Sequence, residues 1–241
     1  MNRKISIVLP TYNESQNMPG LIDEISSRMT ADVCISNPPE IIVVDDNSPD
    51  GTADVCRSLG DTRRSVNVIV RTDERGLGSA VKRGILESNG EIVLVMDADF
   101  SHDCAMVPRL LAALDEDSID IAIASRYAHG GNMTASQHLS VGSRALNLFI
   151  RNILGMPVRD ITGGFFAVRR AALDGLNLDS IFTGYGDYCI ALLYKGFKKG
   201  WHFEEIPFSY RPRRNGMSKT GFLWAGLSYG IRALRLRAGL E

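Results

Sequence analysis

Five short apolar runs punctuate the first half of the chain: Ile5 to Leu9, Ile41 to Val44, Val66 to Val70, Ile92 to Met96 and Ile119 to Ala124. They are rich in β-branched residues and most are followed by turn-forming or acidic ones, the pattern of strands buried on both faces. Between them the apolar positions switch to helical spacing. Leu21, Ile22 and Ile25 form one face of a helix opened by Asn13-Glu14-Ser15. Asp50-Gly51-Thr52 predicts a turn into a second helix, with Asp50 or Thr52 as its N-cap. Gly76 to Glu87 predicts a third, stopped by Gly90, and Met106 to Leu114 a fourth. Strands alternating with helices imply βαβ units and a mainly parallel sheet covered on both faces. In such α/β sheets ligands bind beyond the carboxyl ends of the strands.

The second half is less regular. Ser140 to Leu154 and Asp187 to Lys195 predict helices, and Gly163 to Val168 a glycine-led strand. Trp201 to Tyr210 predicts two short strands about Pro207, and Gly221 to Arg237 a final helix. No repeat, low-complexity tract or linker divides the 241 residues, so one unit spanning 1–241 is expected. Composition is globular, 44% hydrophobic with a net charge of −1. It lacks the basic excess of a nucleic-acid footprint, so no nucleic-acid partner is expected. The four cysteines, Cys34, Cys56, Cys104 and Cys189, form no C-x-x-C pair. They read as reduced structural thiols rather than as a zinc or redox site. The Ile5 to Leu9 run is too short for a signal-peptide core. No stretch approaches the ~20 apolar residues of a membrane span, so a soluble or peripheral protein is expected unless a partner supplies the anchor.

Charge is unevenly placed. Acidic pairs stand at strand ends, Asp45-Asp46 after the second strand and Asp97-Ala98-Asp99 after the fourth, while Arg and Lys crowd the last third. Two carboxylates one residue apart can point the same way if extended geometry persists. They form a hard-oxygen site of the kind Mg²⁺ or Mn²⁺ shares with substrate phosphates. Asp45 and Asp46 can accept hydrogen bonds from the ring N–H groups of uracil or guanine, and equally can brace a turn. Tyr12 and Glu14, after the first strand, suit a base and ribose, or a helix cap. Arg213, Arg214 and Lys219 surround Gly216 and follow Pro212, which reads as a basic loop suited to phosphate capture. His102 is a candidate support for the metal site or a residue leading into the next helix. Gly76-Leu77-Gly78-Ser79 lacks G-x-G-x-x-G spacing, so close packing at a helix start is expected there. Arg169-Arg170 and Lys198-Lys199 read as solvated surface.

In order along the chain stand V-L-P-T-Y-N-E, V-V-D-D-N-S-P-D-G-T, M-D-A-D, S-R-Y and T-G-G-F-F-A-V-R-R. Together they resemble the GT-A, family 2 glycosyltransferases. The S-P-D-G-T ending points within that family to the dolichyl-phosphate (polyprenyl-phosphate) mannosyltransferases. The resemblance runs from about Ile5 to Lys219. It implies a GT-A fold, a Rossmann-like α/β/α sandwich. It also implies a nucleotide-sugar half at 1–125, an acceptor-side half at 126–219 and a C-terminal amphipathic helix at 220–241. Pro10, Tyr12, Glu14, Val44 and Asp46 are then expected around the guanosine, and Asp97, Ala98 and Asp99 around a metal and the diphosphate. Ser101 takes the place of a third metal ligand. Arg126 is implied at the transferred phosphates, Ser143 at the acceptor phosphate, and Arg213 and Lys219 on a loop over the nucleotide. Two positions depart from the family pattern: Leu139 stands for an Arg, whose charge His138, Arg144 or Arg151 could replace, and Ala191 for a Glu, with Asp187 one turn earlier.

The resemblance implies inverting transfer of mannose from GDP-mannose to a polyprenyl monophosphate, aided by Mg²⁺ or Mn²⁺. Asp99, Arg126 and Arg213 would be the catalytic residues. Three readings stay open beside it: a UDP-glucose donor, a hydroxyl acceptor with Asp187 as base, and a silent scaffold subunit. A lipid acceptor would place the protein at the cytosolic face of a membrane. The final helix, with Trp224 and Leu227 beside Arg232 and Arg235, could lie at the interface, pack on the sheet, or meet a separate membrane subunit.

Overall fold

The computed structural model describes residues 3–32, 38–62, 65–134, 137–211, 214 and 222–241. The first half alternates as predicted: β1 (Ile5–Thr11), α1 (Met18–Asp32), β2 (Glu40–Asp45), α2 (Thr52–Thr62), β3 (Val66–Val70), α3 (Leu77–Glu87), β4 (Ile92–Val95), α4 (Met106–Ala113) and β5 (Ile121–Ser125). The second half adds β6 (Asn132–Met133), α5 (Gln137–Leu154), β7 (Phe166–Arg169), α6 (Arg170–Leu173), α7 (Leu178–Ile181), α8 (Tyr188–Lys198), β8 (Phe203–Pro207), β9 (Ser209–Tyr210) and α9 (Phe222–Arg237). The sequence pattern missed β6, α6 and α7, which are too short to show a period.

Seven strands form one sheet in the order β3-β2-β1-β4-β7-β5-β8. β1 pairs in parallel with both β2 and β4, so chain order reverses between β1 and β4. That reversal opens a crevice at the carboxyl ends, where such sheets bind ligands. The glycine-led strand departs from the parallel rule: β7 runs antiparallel between β4 and β5.

Alternation along the strands divides the core between the faces. Ile7 and Leu9 of β1 pack with Leu21 and Ile25 of α1 and Leu110 of α4. Val8, Val93 and Val95 face the other way, toward Val81 of α3, Ile190 and Leu193 of α8 and Leu236 of α9. The architecture is therefore the expected α/β/α sandwich. Gly84 lets α3 lie against β1, because a Cβ there would stand 2.3 Å from Val8 Cγ1. Cys56, Cys104 and Cys189 are buried free thiols, each pushed up to about 12, chiefly by loss of solvent.

One expectation is corrected. Arg169 and Arg170 are not solvated surface. Arg169 donates to the carbonyls of Ile119, Leu114 and Glu116, and Arg170 to that of Gly90, tying β7 to the turns beside it.

Candidate functional site

Beyond the carboxyl ends of β1, β2 and β4 lies a cavity of about 450 Å³. Pro10, Tyr12, Glu14, Asp46, Asp97, Ala98, Asp99 and Arg126 all line it, so eight of the residues singled out in the sequence meet there. Val44 is wholly buried and does not line the cavity itself; it packs with Ile42 and behind the lining residue Ala80. Arg213 and Lys219 lie outside the described residues.

The two adjacent carboxylates after β2 do different work. Asp45 braces a turn: it accepts from Ser48 N at 2.9 Å, from the Ser48 hydroxyl at 2.5 Å and from Thr11 Oγ1 at 3.2 Å. Asp46 faces the cavity and is held from behind. Arg71 Nε donates to its Oδ1 at 2.8 Å, a second Arg71 nitrogen reaches the same oxygen, and Gly76 N donates to Oδ2 at 2.8 Å. A carboxylate offers about four lone-pair sites, which leaves Asp46 about one for a ligand. Arg71 therefore serves Asp46, while Arg75 forms the cavity wall with its guanidinium 5.5 Å above the Tyr12 ring. The Gly76-Leu77-Gly78 segment packs closely, as expected: a Cβ on Gly78 would stand 2.9 Å from the Thr183 carbonyl.

After β4 the chain turns back sharply through Phe100, whose φ is 62°. Ser101 N donates to Asp99 Oδ1 at 2.9 Å, which orients that carboxylate. Arg211 N donates to the Ser101 carbonyl and Arg214 N to that of Asp99, so both residues lie over the turn. Ser101 Oγ is fully buried and has no hydrogen-bond partner among the described residues. Two cavity-facing carboxylates beside an orphaned hydroxyl fit an oxygen-seeking divalent cation. Among the described residues no three His, Cys, Asp or Glu side chains converge on one point. Substrate phosphates would thus complete such a shell, as they commonly do for Mg²⁺.

Arg126 follows β5. Its Nε and one terminal nitrogen donate to the two oxygens of Asp160 at 2.8 and 2.7 Å, and the same terminal nitrogen reaches Thr162 Oγ1 at 2.9 Å. Burial opposes its charge, but Asp160 beside it outweighs that cost and holds the guanidinium above its ordinary value. Asp160 is fully buried, and Asn147 positions Thr162 by donating to the same hydroxyl. Sequence reading missed Asp160 and Asn147. The signal available was a lone carboxylate, Asp160, two residues before Thr162-Gly163-Gly164 in a segment leading into a buried strand. Ser143 does not line the cavity; its hydroxyl accepts from Tyr127 at 2.7 Å.

The far wall is aromatic: Tyr185, Tyr188, Tyr229, Phe208 and Tyr210. Tyr229 comes from α9, so the final helix contributes to the cavity. Asp187 does not line it; its carboxylate accepts from Tyr185 N at 3.0 Å and faces Arg232 at 3.7 Å. Ala191 is fully buried. Arg144 is exposed, and Arg151 Nε donates to the Met156 carbonyl. The side chains of His138 and Leu139 lie outside the described set.

Comparison with known proteins agrees with this geometry. The description Glycosyl transferase family 2 matches residues 6–176. A dolichol-phosphate mannosyltransferase from Pyrococcus furiosus is 37% identical over 223 residues, which is 90% of this chain and 59% of the relative. A polyprenol monophosphomannose synthase from Mycolicibacterium smegmatis is 33% identical over 219 residues, 88% of this chain and 79% of the relative. The chain thus spans well under two thirds of the first relative's length. Among solved structures, glucosyl-3-phosphoglycerate synthase from Mycobacterium tuberculosis, in complex with Mn²⁺, UDP and glucosyl-3-phosphoglycerate, gives a TM-score of 0.72 at 24% identity. The match covers 98% of this chain and 80% of that one, a likeness of fold. The expected GT-A architecture is borne out, and with most of its length matched and its motifs gathered round one cavity, the chain belongs to glycosyl transferase family 2.

Proposed function

We propose that the chain transfers mannose from GDP-mannose to a polyprenyl monophosphate, with inversion at the sugar carbon. One observation carries this reading. The carboxylates lining the cavity are Glu14, Asp46, Asp97 and Asp99, all from the first 99 residues. Among the described residues, the wall built after residue 123 holds no carboxylate or imidazole. A hydroxyl acceptor needs a general base on that wall. A phosphate monoester does not, since its second pKa is about 6 and it is already an anion at neutral pH. Asp187, the alternative base, is turned to Tyr185 N and Arg232 instead.

Pro10, Tyr12, Glu14 and Asp46 would receive the guanosine, with Val44 behind them. Asp97 and Asp99, with Ser101 beside them, would hold Mg²⁺ or Mn²⁺, which when bound supplies Lewis-acid neutralisation of the departing diphosphate. Bringing two anions together requires fixed cations, and Arg126 is one already set in place by Asp160. Ser143, one hydrogen bond from Tyr127, would steady the acceptor phosphate beside it. Arg213 and Lys219 would close over the nucleotide. The three segments 1–125, 126–219 and 220–241 would then act as donor half, acceptor half and peripheral helix.

A lipid acceptor has to be met at a membrane. Among the described residues no helix is long and apolar enough to cross one. Leu148 and Phe149 of α5 and Leu227, Ile231 and Leu234 of α9 are exposed, beside Arg144, Arg235 and Arg237. Such a face suits peripheral binding at the cytosolic leaflet, directly or through a membrane subunit. Leu236, Ala233 and Arg232 face inward, so α9 also packs on the domain.

The test is incubation with labelled GDP-mannose or labelled UDP-glucose, Mn²⁺ and a polyprenyl phosphate, followed by organic extraction. Lipid-bound mannose that survives mild base but not mild acid is expected. Label in lipid from UDP-glucose alone would move the donor assignment, and no lipid label from either would overturn the reading.

A further inference from the structure

We infer that His102 is the positioning residue of the Asp97-Ala98-Asp99 triplet, and that the strand-leading Phe165 holds it in place. This rests on the metal site proposed above. Met96 N donates the last bond of the β1–β4 ladder to the Val8 carbonyl, so the next N–H, that of Asp97, points to the opposite side of the strand, past the last β4–β7 pair, Val95 with Phe166. The Asp97 N–H donates instead to His102 Nδ1 at 2.9 Å, closing the 97–102 turn on itself. A ring nitrogen that accepts carries no proton, so the imidazole proton sits on Nε2. That nitrogen stands 3.7 Å from Asp97 Oδ2. One imidazole thus bonds the Asp97 backbone and stands beside its carboxylate.

The ring itself is fixed from several sides. It stacks on Phe165, centroids 4.6 Å apart and 11° from parallel. Phe208 and Tyr210 meet it edge-on at 6.1 and 6.2 Å. Only 4% of the residue is exposed. Phe165 closes the Thr162-Gly163-Gly164-Phe165 run, a motif whose glycines line the cavity but carry no reactive group. Its work becomes clear in this arrangement: it supplies the platform that holds His102, which holds Asp97. Without an acceptor, the half-buried Asp97 amide would turn in search of another partner. The carboxylate would turn with it.

Two measurements test this. In the metal-free wild type, long-range ¹H–¹⁵N spectra of His102 should show an unprotonated Nδ1 and a protonated Nε2, unchanged on adding Mg²⁺ and GDP. A protonated Nδ1 overturns the proposal. So does loss of the Nε2 proton on adding Mg²⁺, which would make His102 a ligand. The second measurement is Mn²⁺ affinity in the presence of GDP, read by electron paramagnetic resonance. H102F keeps the stack but removes the acceptor and should weaken Mn²⁺ about ten- to a hundredfold. H102N offers a side-chain carbonyl to Asp97 N–H and should recover most of that loss. F165L, which touches neither carboxylate, should fall between them. Wild-type affinity in H102F, or equal loss in H102N and H102F at unchanged melting temperature, overturns the proposal. If wild-type protein takes up no Mn²⁺ with GDP, the nucleotide-sugar reading fails, and the apo tautomer alone decides for or against His102.

Discussion

The cavity wall built by residues up to 99 and the wall built after residue 123 carry opposite chemistry. The first is acidic, and its carboxylates sit one to four residues beyond strand ends. The second is cationic and aromatic, and its pieces come from loops, from strands β5 and β9 and from helices α8 and α9. The acidic wall suits a metal and hydrogen-bond donors on a base. The other suits an incoming anion with an apolar tail. The difference teaches how one crevice could handle two anionic substrates under the proposed function: each wall would serve one of them, and the reaction would take place where they face each other.

Four expected outcomes break or sharpen that contrast. The largest concerns the acidic wall. Asp99→Ala should lower kcat by about a hundred- to a thousandfold, the range for removing one electrostatic stabiliser of a leaving group, measured under saturating substrates. Near-normal turnover would show that the carboxylates do not serve the departing diphosphate.

The next probes the cationic wall. Arg126→Ala leaves Asp160 buried without its partner, and breaking such a pair costs about 3–5 kcal/mol of stability, measured by urea unfolding. Replacing both, as R126M/D160L, should restore much of the stability and none of the transfer. If the double variant regains activity, Arg126 is a structural cation only.

A smaller effect separates phosphate from hydroxyl acceptors. Asp187→Asn should keep transfer within about threefold and leave the acidic limb of the pH–rate profile in place, because no general base acts in this scheme. Loss of that limb would revive the hydroxyl-acceptor reading.

The smallest lies away from both walls. Glu40 accepts hydrogen bonds from Ser6, Asn89 and Asn67. Burial works to raise its pKa, yet these bonds prevail and the net shift is below 4.5. A carboxyl depressed on folding contributes stability that is fully present above its unfolded pKa and lost as pH falls through the folded one. Glu40→Gln should therefore lower stability modestly at pH 7, approach the wild type in acid, and so flatten the profile below about pH 4.5. A profile with unchanged acid slope would assign the loss to other carboxylates.

The two walls also differ in how far they could be read in the sequence. Asp46, Asp97 and Asp99 were legible because strand ends are local features: an apolar run stops, and the next side chain falls at the sheet's carboxyl edge. Hydrophobic period and turn residues placed every strand of the first half to within about two residues. The partners of those carboxylates were less visible. Arg71 holds Asp46 across 25 residues, and no periodicity reports such a pairing. Asp160 meets Arg126 across 34, and Tyr229 reaches the cavity from a helix whose pattern reads as peripheral.

What the amino-acid sequence determined by itself was the alternation of strands and helices, the acidic residues at strand ends and the ordered family motifs. Local propensity and the two side-chain periods fix these, and they need no knowledge of what lies across the fold. The tertiary structure alone decided that β7 enters antiparallel and that Asp45 braces a turn while its neighbour Asp46 faces the cavity. It alone decided that Arg126 arrives already paired, and that His102 is pinned between Phe165 and Asp97. Each depends on groups far apart in the chain meeting in a buried place, where an unpaired charge or amide is costly and packing selects its partner.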